Sequence, residues 1–201
     1  MRSLLFAAAL ALTAASALAA ATVGQAAPNF TAIDASGKTV TLADFKGRHV
    51  VLEWVNPGCP YVQRHYDSAN MQGTQREATS KGVVWLAVNS TAQDAGDYLT
   101  PAAMTQWMQT QKAAATATLM DTDGRVGRAY GARTTPHMYI VNPAGTLVYA
   151  GAIDDKPRAS PSETTSATNH VKVALAESLA GKAVSLPSTR AYGCSVKYSS
   201  M

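Results

Sequence analysis

The chain has 201 residues, 47% of them apolar, a formal charge of +4 from 17 Lys and Arg against 13 Asp and Glu, and two cysteines. Lys38, Lys46, Arg48, Arg64, Arg76 and Lys81 are scattered over several segments, as on a solvated surface, and form no cluster suited to nucleic acid. With only Cys59 and Cys194, a disulfide-dense scaffold is excluded.

At the N-terminus, Arg2 supplies a short positive region, Leu4 to Leu12 an apolar core, and Ala17-Leu18-Ala19 a small-residue cleavage pattern. Residues 1–19 therefore read as a secretory signal peptide. A membrane anchor is the alternative, but Thr13 and Ser16 interrupt a run that is already short for a span. No cysteine stands at the cleavage point to carry a lipid, and no later segment is apolar enough to cross a bilayer. The expectation is a soluble mature chain, +3 after loss of Arg2, in a periplasmic or secreted setting where disulfides persist. Its length of about 180 residues suits one domain with one core.

In chain order, "HVVLEWV" (49–55) and "GVVWLAVN" (82–89) are short Val-rich runs of the buried-strand type. Between them the spacing of Val62, Tyr66 and Ala69 predicts one helix from Pro60 to about Thr79. A strand, helix, strand unit implies a parallel pair with a right-handed crossover. A second helix is expected over 101–113, with Pro101 at its start after Thr100 and Met104, Trp107, Met108 and Gln111 at helical spacing. "HMYIVN" (137–142) and "TLVYAGAI" (146–153), joined by Pro143-Ala144-Gly145, read as a hairpin that adds antiparallel pairing. The polar stretch 154–168 is loop-like. A last helix follows over 169–181, with Asn169 as cap, Val173, Leu175, Ala176 and Leu179 as apolar positions, and Gly181 as stop. Residues 182–201 are a tail that carries Cys194.

Cys59 lies in "WVNPGCPYV", at the junction of the first strand and the helix after it. The amino end of a helix presents unpaired N–H groups and a partial positive charge, which favour the thiolate, the reactive form of cysteine. Cys59 is thus placed as a nucleophile toward a disulfide sulfur or a peroxide oxygen. Arg64 and His65 could add positive charge there, although exposed helix residues without a role are the simpler expectation.

The segment 21–60, "RTTPHMYIV" (133–141) and 121–155 together resemble the thioredoxin-like redoxin family, in the AhpC/TSA-like branch that includes peroxiredoxins and secreted thiol-disulfide reductases. The resemblance runs over residues 20–181 and implies an α/β thioredoxin-like fold, a central mixed β-sheet flanked by helices, here with a Cys-bearing C-terminal tail. It also implies a cis bond before Pro136, set against Cys59, with Thr135 and Pro136 shaping the substrate groove. A thioredoxin-type site has a second cysteine three residues after the first, where this chain has Val62. A peroxiredoxin-type site has Thr or Ser three residues before the cysteine and proline seven before, where this chain has Asn56 and Leu52.

Cys194 is accordingly the expected resolving thiol for Cys59; a permanent 59–194 staple and two independent thiols are the alternatives. The expected activity is thiol-dependent oxidoreduction of a protein disulfide or a hydroperoxide, recycled by a protein dithiol, with no bound cofactor or metal. Copper delivery is a competing possibility, since Cys59, His65, His137, Met138 and Cys194 are soft or imidazole ligands. A non-catalytic module with a structural disulfide is another. His137 is expected as a hydrogen-bonded strand residue or, if functional, a proton carrier beside Cys59. Glu53 is expected to face solvent at a strand edge, with proton transfer near Cys59 as its second possibility. "DTDG" (121–124) reads as a turn, and Asp154 and Asp155 as a solvated loop edge.

Overall fold

The structure is a computed structural model that describes residues 20–158 and 160–200, so the leader of residues 1–19 lies outside the described residues. A small antiparallel pair, β1 (Thr31–Ile33) and β2 (Thr39–Thr41), precedes the central strand β3 (Val50–Trp54). Then come α1 (Pro60–Asp67), α2 (Asn70–Ser80), β4 (Val84–Asn89), α3 (Pro101–Thr110), β5 (Ala117–Met120), α4 (Arg125–Tyr130) and β6 (Thr134–Thr135). The chain continues through β7 (His137–Val141), β8 (Leu147–Gly151), α5 (His170–Leu179) and β9 (Cys194–Ser195). Among the described residues no helix is long and apolar enough to cross a membrane.

The main sheet has the order β5-β4-β3-β7-β8. Strands β3, β4 and β5 run parallel, while β7 pairs antiparallel with β3 and with β8. All residues of β3 and β4 are buried, because each strand has neighbours on both edges and packed side chains on both faces. One face meets α1, α2, α3 and α5 through Val51, Val55, Val62, Met104, Met138 and Leu175. The other gathers Leu52, Trp54, Leu86, Tyr130 and Tyr139, with Trp54 and Tyr139 edge to face at 5.1 Å.

Several expected signals act as anticipated. Thr100 Oγ1 accepts from the Ala103 amide ahead of Pro101, and Asn169 accepts from the Lys172 amide at 3.0 Å. Gly145 takes φ +83 in the hairpin turn, whose amides at Ala144 and Thr146 donate to the Asn142 side chain.

Other expectations are corrected. The single helix from Pro60 is two, broken where Ala69 adopts φ +55. The break lets Gln72 point inward to donate to the carbonyls of Tyr66 and Gln111, closing the end of α1. The segment between α3 and the hairpin holds β5 and α4, where the "DTDG" turn delivers Asp121 to accept from the amides of Val126 and Gly127. On α5 the buried face is Val171, Ala174 and Leu175, while Val173 and Leu179 are exposed.

Candidate active site

The Cys59 site is assembled from three places in the chain: the β3–α1 junction, the turn into β7, and the tail. Cys59 is the N-cap residue of α1, with extended backbone (φ −86, ψ 121) and Pro60 in the first turn. Just before it, Asn56 accepts from the Gly58 amide at 2.8 Å and donates to Asp97 at 2.8 Å, which pins the turn that carries the cysteine. From the second place, the Thr135–Pro136 peptide is cis, and the Thr135 carbonyl oxygen lies 3.0 Å from Cys59 Sγ.

The tail supplies the third part. Strand β9 pairs antiparallel with β6, and the register sets Cys194 directly opposite Thr135. The two sulfurs, both free thiols, are 2.6 Å apart. Cys194 covers Cys59, which is 2% exposed. The tail is fixed on both sides of this rung: Pro187 and Thr189 pair with Ala150, the Val196 amide donates to Arg133, and the Ala92 amide donates to Lys197. Beyond Cys194, Arg128 stacks over the Tyr198 ring at 4.7 Å and the Tyr198 hydroxyl donates to the Ala132 carbonyl.

Burial alone raises the Cys59 thiol, but contacts from the side chains of Cys194 and Thr135 and from the Val62 amide outweigh it and hold the group below its ordinary value. Cys194 moves the other way, pushed up to about 11 by burial and by its contact with Cys59. Within the pair, Cys59 is therefore the group that ionises first. While protonated it donates to the Thr135 carbonyl; once ionised, it takes the Cys194 S–H as a donor.

Gly193 permits the close approach. It sits at φ +140, and a Cβ added there would stand 2.0 Å from the Thr135 carbonyl oxygen, a backbone atom with little freedom to yield. Replacing Gly193 by Ala is expected to push β9 off β6 and to raise the rate of Cys59 alkylation at least about tenfold, the kinetic trace of a lifted tail.

Other expected site residues fall elsewhere. Glu53 is not at a solvent edge: it is fully buried in the central strand, on the helix-covered face. Tyr66, Gln75 and Trp85 donate to its carboxylate at 2.9, 2.9 and 2.7 Å. Burial raises its pKa, and the three donors oppose that only in part. Tyr66 belongs to α1, so this carboxyl is tied to the helix that Cys59 caps.

His137 stacks on Tyr139 at 4.5 Å and shares Nδ1 contacts with the Tyr139 hydroxyl and the Arg133 amide. It sits on the sheet face opposite Cys59, whereas Met138 faces the core that contains Cys59. Arg64 and His65 are not exposed helix residues but are buried, at 8% and 0% exposure, against Tyr192 and Asp154. Asp154 is likewise buried rather than at a solvated loop edge, while Asp155 is exposed. The side chains that would have held copper are thus divided between two faces of the sheet, and among the described residues no three His, Cys, Asp or Glu converge on a metal position.

Residues 23–150 match the AhpC/TSA family. The chain is 27% identical over 132 residues to the thiol-disulfide oxidoreductase ResA of Bacillus subtilis, covering 62% of this chain and 64% of that protein. Among solved structures, a hypothetical protein of Sinorhizobium meliloti is similar with TM-score 0.78 and 25% identity, over 91% of this chain and 98% of that one. An uncharacterised protein of Geobacillus kaustophilus gives 0.76 and 25%, over 90% and 94%. The thioredoxin domain of a Bacteroides vulgatus thiol-disulfide oxidoreductase gives 0.51 and 25%, over 64% and 87%. The fold is thioredoxin-like, and with the family matched across well over half of its length, the chain belongs to the AhpC/TSA family.

Proposed function

We propose that the protein is a thiol-disulfide oxidoreductase in which Cys59 is the nucleophile and Cys194 the resolving thiol. The observation that carries this is the rung between β6 and β9, which brings the Cys194 sulfur to 2.6 Å from that of a cysteine capping α1 beside a cis-proline. The likeness to ResA supports a protein disulfide as substrate in preference to a hydroperoxide.

The Cys59 thiolate attacks one sulfur of the substrate disulfide, forming a mixed disulfide and releasing the other substrate sulfur as thiolate. Cys194 then attacks Cys59 Sγ, the second substrate thiolate leaves, and the 59–194 disulfide remains. A protein dithiol reduces that bond and is itself oxidised to a disulfide. Because Cys59 is 2% exposed, substrate reaches it only when residues 192–195 move aside. Thr135 and Pro136 border the vacated groove, and Glu53, the buried carboxyl linked to α1 through Tyr66, is assigned the role of holding a proton in this scheme. No step is assigned to His137. The leader read in residues 1–19 supports a periplasmic or secreted location, where such a pair can cycle.

Reduction of insulin disulfides by the purified mature chain with a dithiol donor tests this. Cys59→Ser is expected to remove the protein-dependent rate entirely; an unchanged rate in that variant excludes Cys59 as nucleophile.

A further inference from the structure

Tyr192, two residues before Cys194, ends in a buried polar seat. Its hydroxyl donates to Asp154 and accepts from Arg64 at 2.9 Å, with His65 Nε2 at 3.1 Å. Its ring packs against Tyr61 at 5.9 Å between centroids, and Arg64 lies over it at 5.4 Å. Tyr61, Arg64 and His65 all belong to α1, the helix that Cys59 caps. Two of the three seat residues therefore ride on the same helix as the nucleophile, and Asp154, just after β8, completes the seat.

Asp154 shows why the hydroxyl matters. The residue is 2% exposed, and one carboxylate oxygen, Oδ2, is buried without a hydrogen-bond partner. The other, Oδ1, accepts from Tyr192 and from the Lys156 amide. Burial and the neighbouring Arg64 charge hold His65 down to about 3, so at neutral pH the imidazole is uncharged and Arg64 is the cation of the cluster. A tail without the hydroxyl would leave a buried carboxylate and a guanidinium short of a shared partner, an arrangement that disfavours docking.

We propose that Tyr192 is the positioning residue that holds Cys194 against Cys59, by locking the tail into the seat made by Arg64, His65 and Asp154. The proposal rests on the pair acting as nucleophile and resolving thiol. Two residues of chain span at most about 7 Å, so a fixed Tyr192 confines Cys194 to the neighbourhood of Cys59, whereas a released one frees it to sweep solvent. Resolution by a tail thiol then has the advantage of a local concentration that the latch, not the flexible segment around it, maintains.

Tyr192→Phe keeps the ring and removes the hydroxyl. With the disulfide midpoint measured by thiol trapping across a dithiol buffer series, the 59–194 bond is expected to become about ten- to a hundredfold easier to reduce, a midpoint rise of about 30 to 60 mV. In a Cys194→Ser background the same change is expected to speed Cys59 alkylation at least about tenfold, since the covering tail lifts. Asp154→Asn, which keeps the shape and one acceptor oxygen, should shift both readouts in the same direction by less. A lowered melting temperature with midpoint and alkylation rate unmoved would make Tyr192 merely structural and overturn the latch. A wild-type chain that forms no 59–194 disulfide would remove the pair itself, a separate and visible failure.

Discussion

With Cys194 replaced by serine, the protein is expected to accumulate as a mixed disulfide on Cys59 when turning over a protein disulfide, and steady-state reduction should fall on the order of a hundredfold or more. The first attack needs only Cys59, whose helix-terminal position is untouched and whose thiol keeps the lowering contacts from the Thr135 side chain and the Val62 amide. Resolution needs a second thiol at the sulfur, and Val62 stands where a local one would be. The intermediate must then wait for an external thiol to reach a sulfur flanked by the bound substrate. Non-reducing mass analysis of the variant after mixing with oxidised substrate reads this directly: a stoichiometric adduct on Cys59 is the expected result. Unimpaired turnover would show that Cys194 does not resolve the intermediate.

Replacing Glu53 is expected to give the second large effect, on stability. Its two oxygens take hydrogen bonds from Tyr66, Gln75 and Trp85 in a fully buried site. Glu53→Ala leaves the Tyr66 and Trp85 donors unpaired and the Gln75 donor with only its 3.1 Å contact to the Tyr66 hydroxyl, and at about 1 kcal/mol for each of the three lost bonds the loss should reach about 3 kcal/mol, less the relief of burying one fewer carboxyl. Urea unfolding measures it.

The pH dependence has a definite sign. A carboxyl whose pKa is raised in the folded state from the ordinary 4.5 holds its proton more tightly folded than unfolded. Wild-type stability therefore declines as pH climbs from about 4.5 toward the folded value and levels beyond it. Glu53→Gln cannot ionise, so its unfolding free energy is expected to be flatter than wild type as pH climbs above about 4.5. Parallel slopes for the two proteins would show that Glu53 does not carry this linkage.

The parts of the fold legible in the sequence are those set by local chemistry. The Val-rich runs that became β3 and β4 are buried on both faces, and a run with no polar alternation says as much. Thr100-Pro101 and Asn169 mark helix starts because capping is a matter of neighbouring atoms. The position of Cys59 was legible too, since the strand-to-helix junction it occupies is set by neighbouring residues.

What stayed hidden depends on partners far along the chain. The break at Ala69 has no proline or glycine to announce it; tertiary contacts of Gln72 and Gln75 support a positive φ that alanine disfavours. Glu53 was conspicuous as a charge within an apolar strand, but its partners stand 13, 22 and 32 residues away and no local pattern joins them. Strand β9 is two residues long and carries no periodicity, so its pairing with β6 could not be read from spacing. Asp154 and Tyr192 were missed for a related reason: each sits in a polar, loop-like stretch whose burial arises only when the tail docks. The one available signal was an aromatic two residues from the second cysteine, in "AYGC".

The central claim is that Cys59 and Cys194 form a reversible working pair, and thiol trapping with mass mapping of the purified mature protein across a dithiol buffer series tests it most directly. The expected result is a 59–194 disulfide that opens and closes reversibly at a midpoint above roughly −300 mV, the range of labile bridges. A bridge that stays closed well below that midpoint, or the absence of any bridge between the two residues, would contradict it.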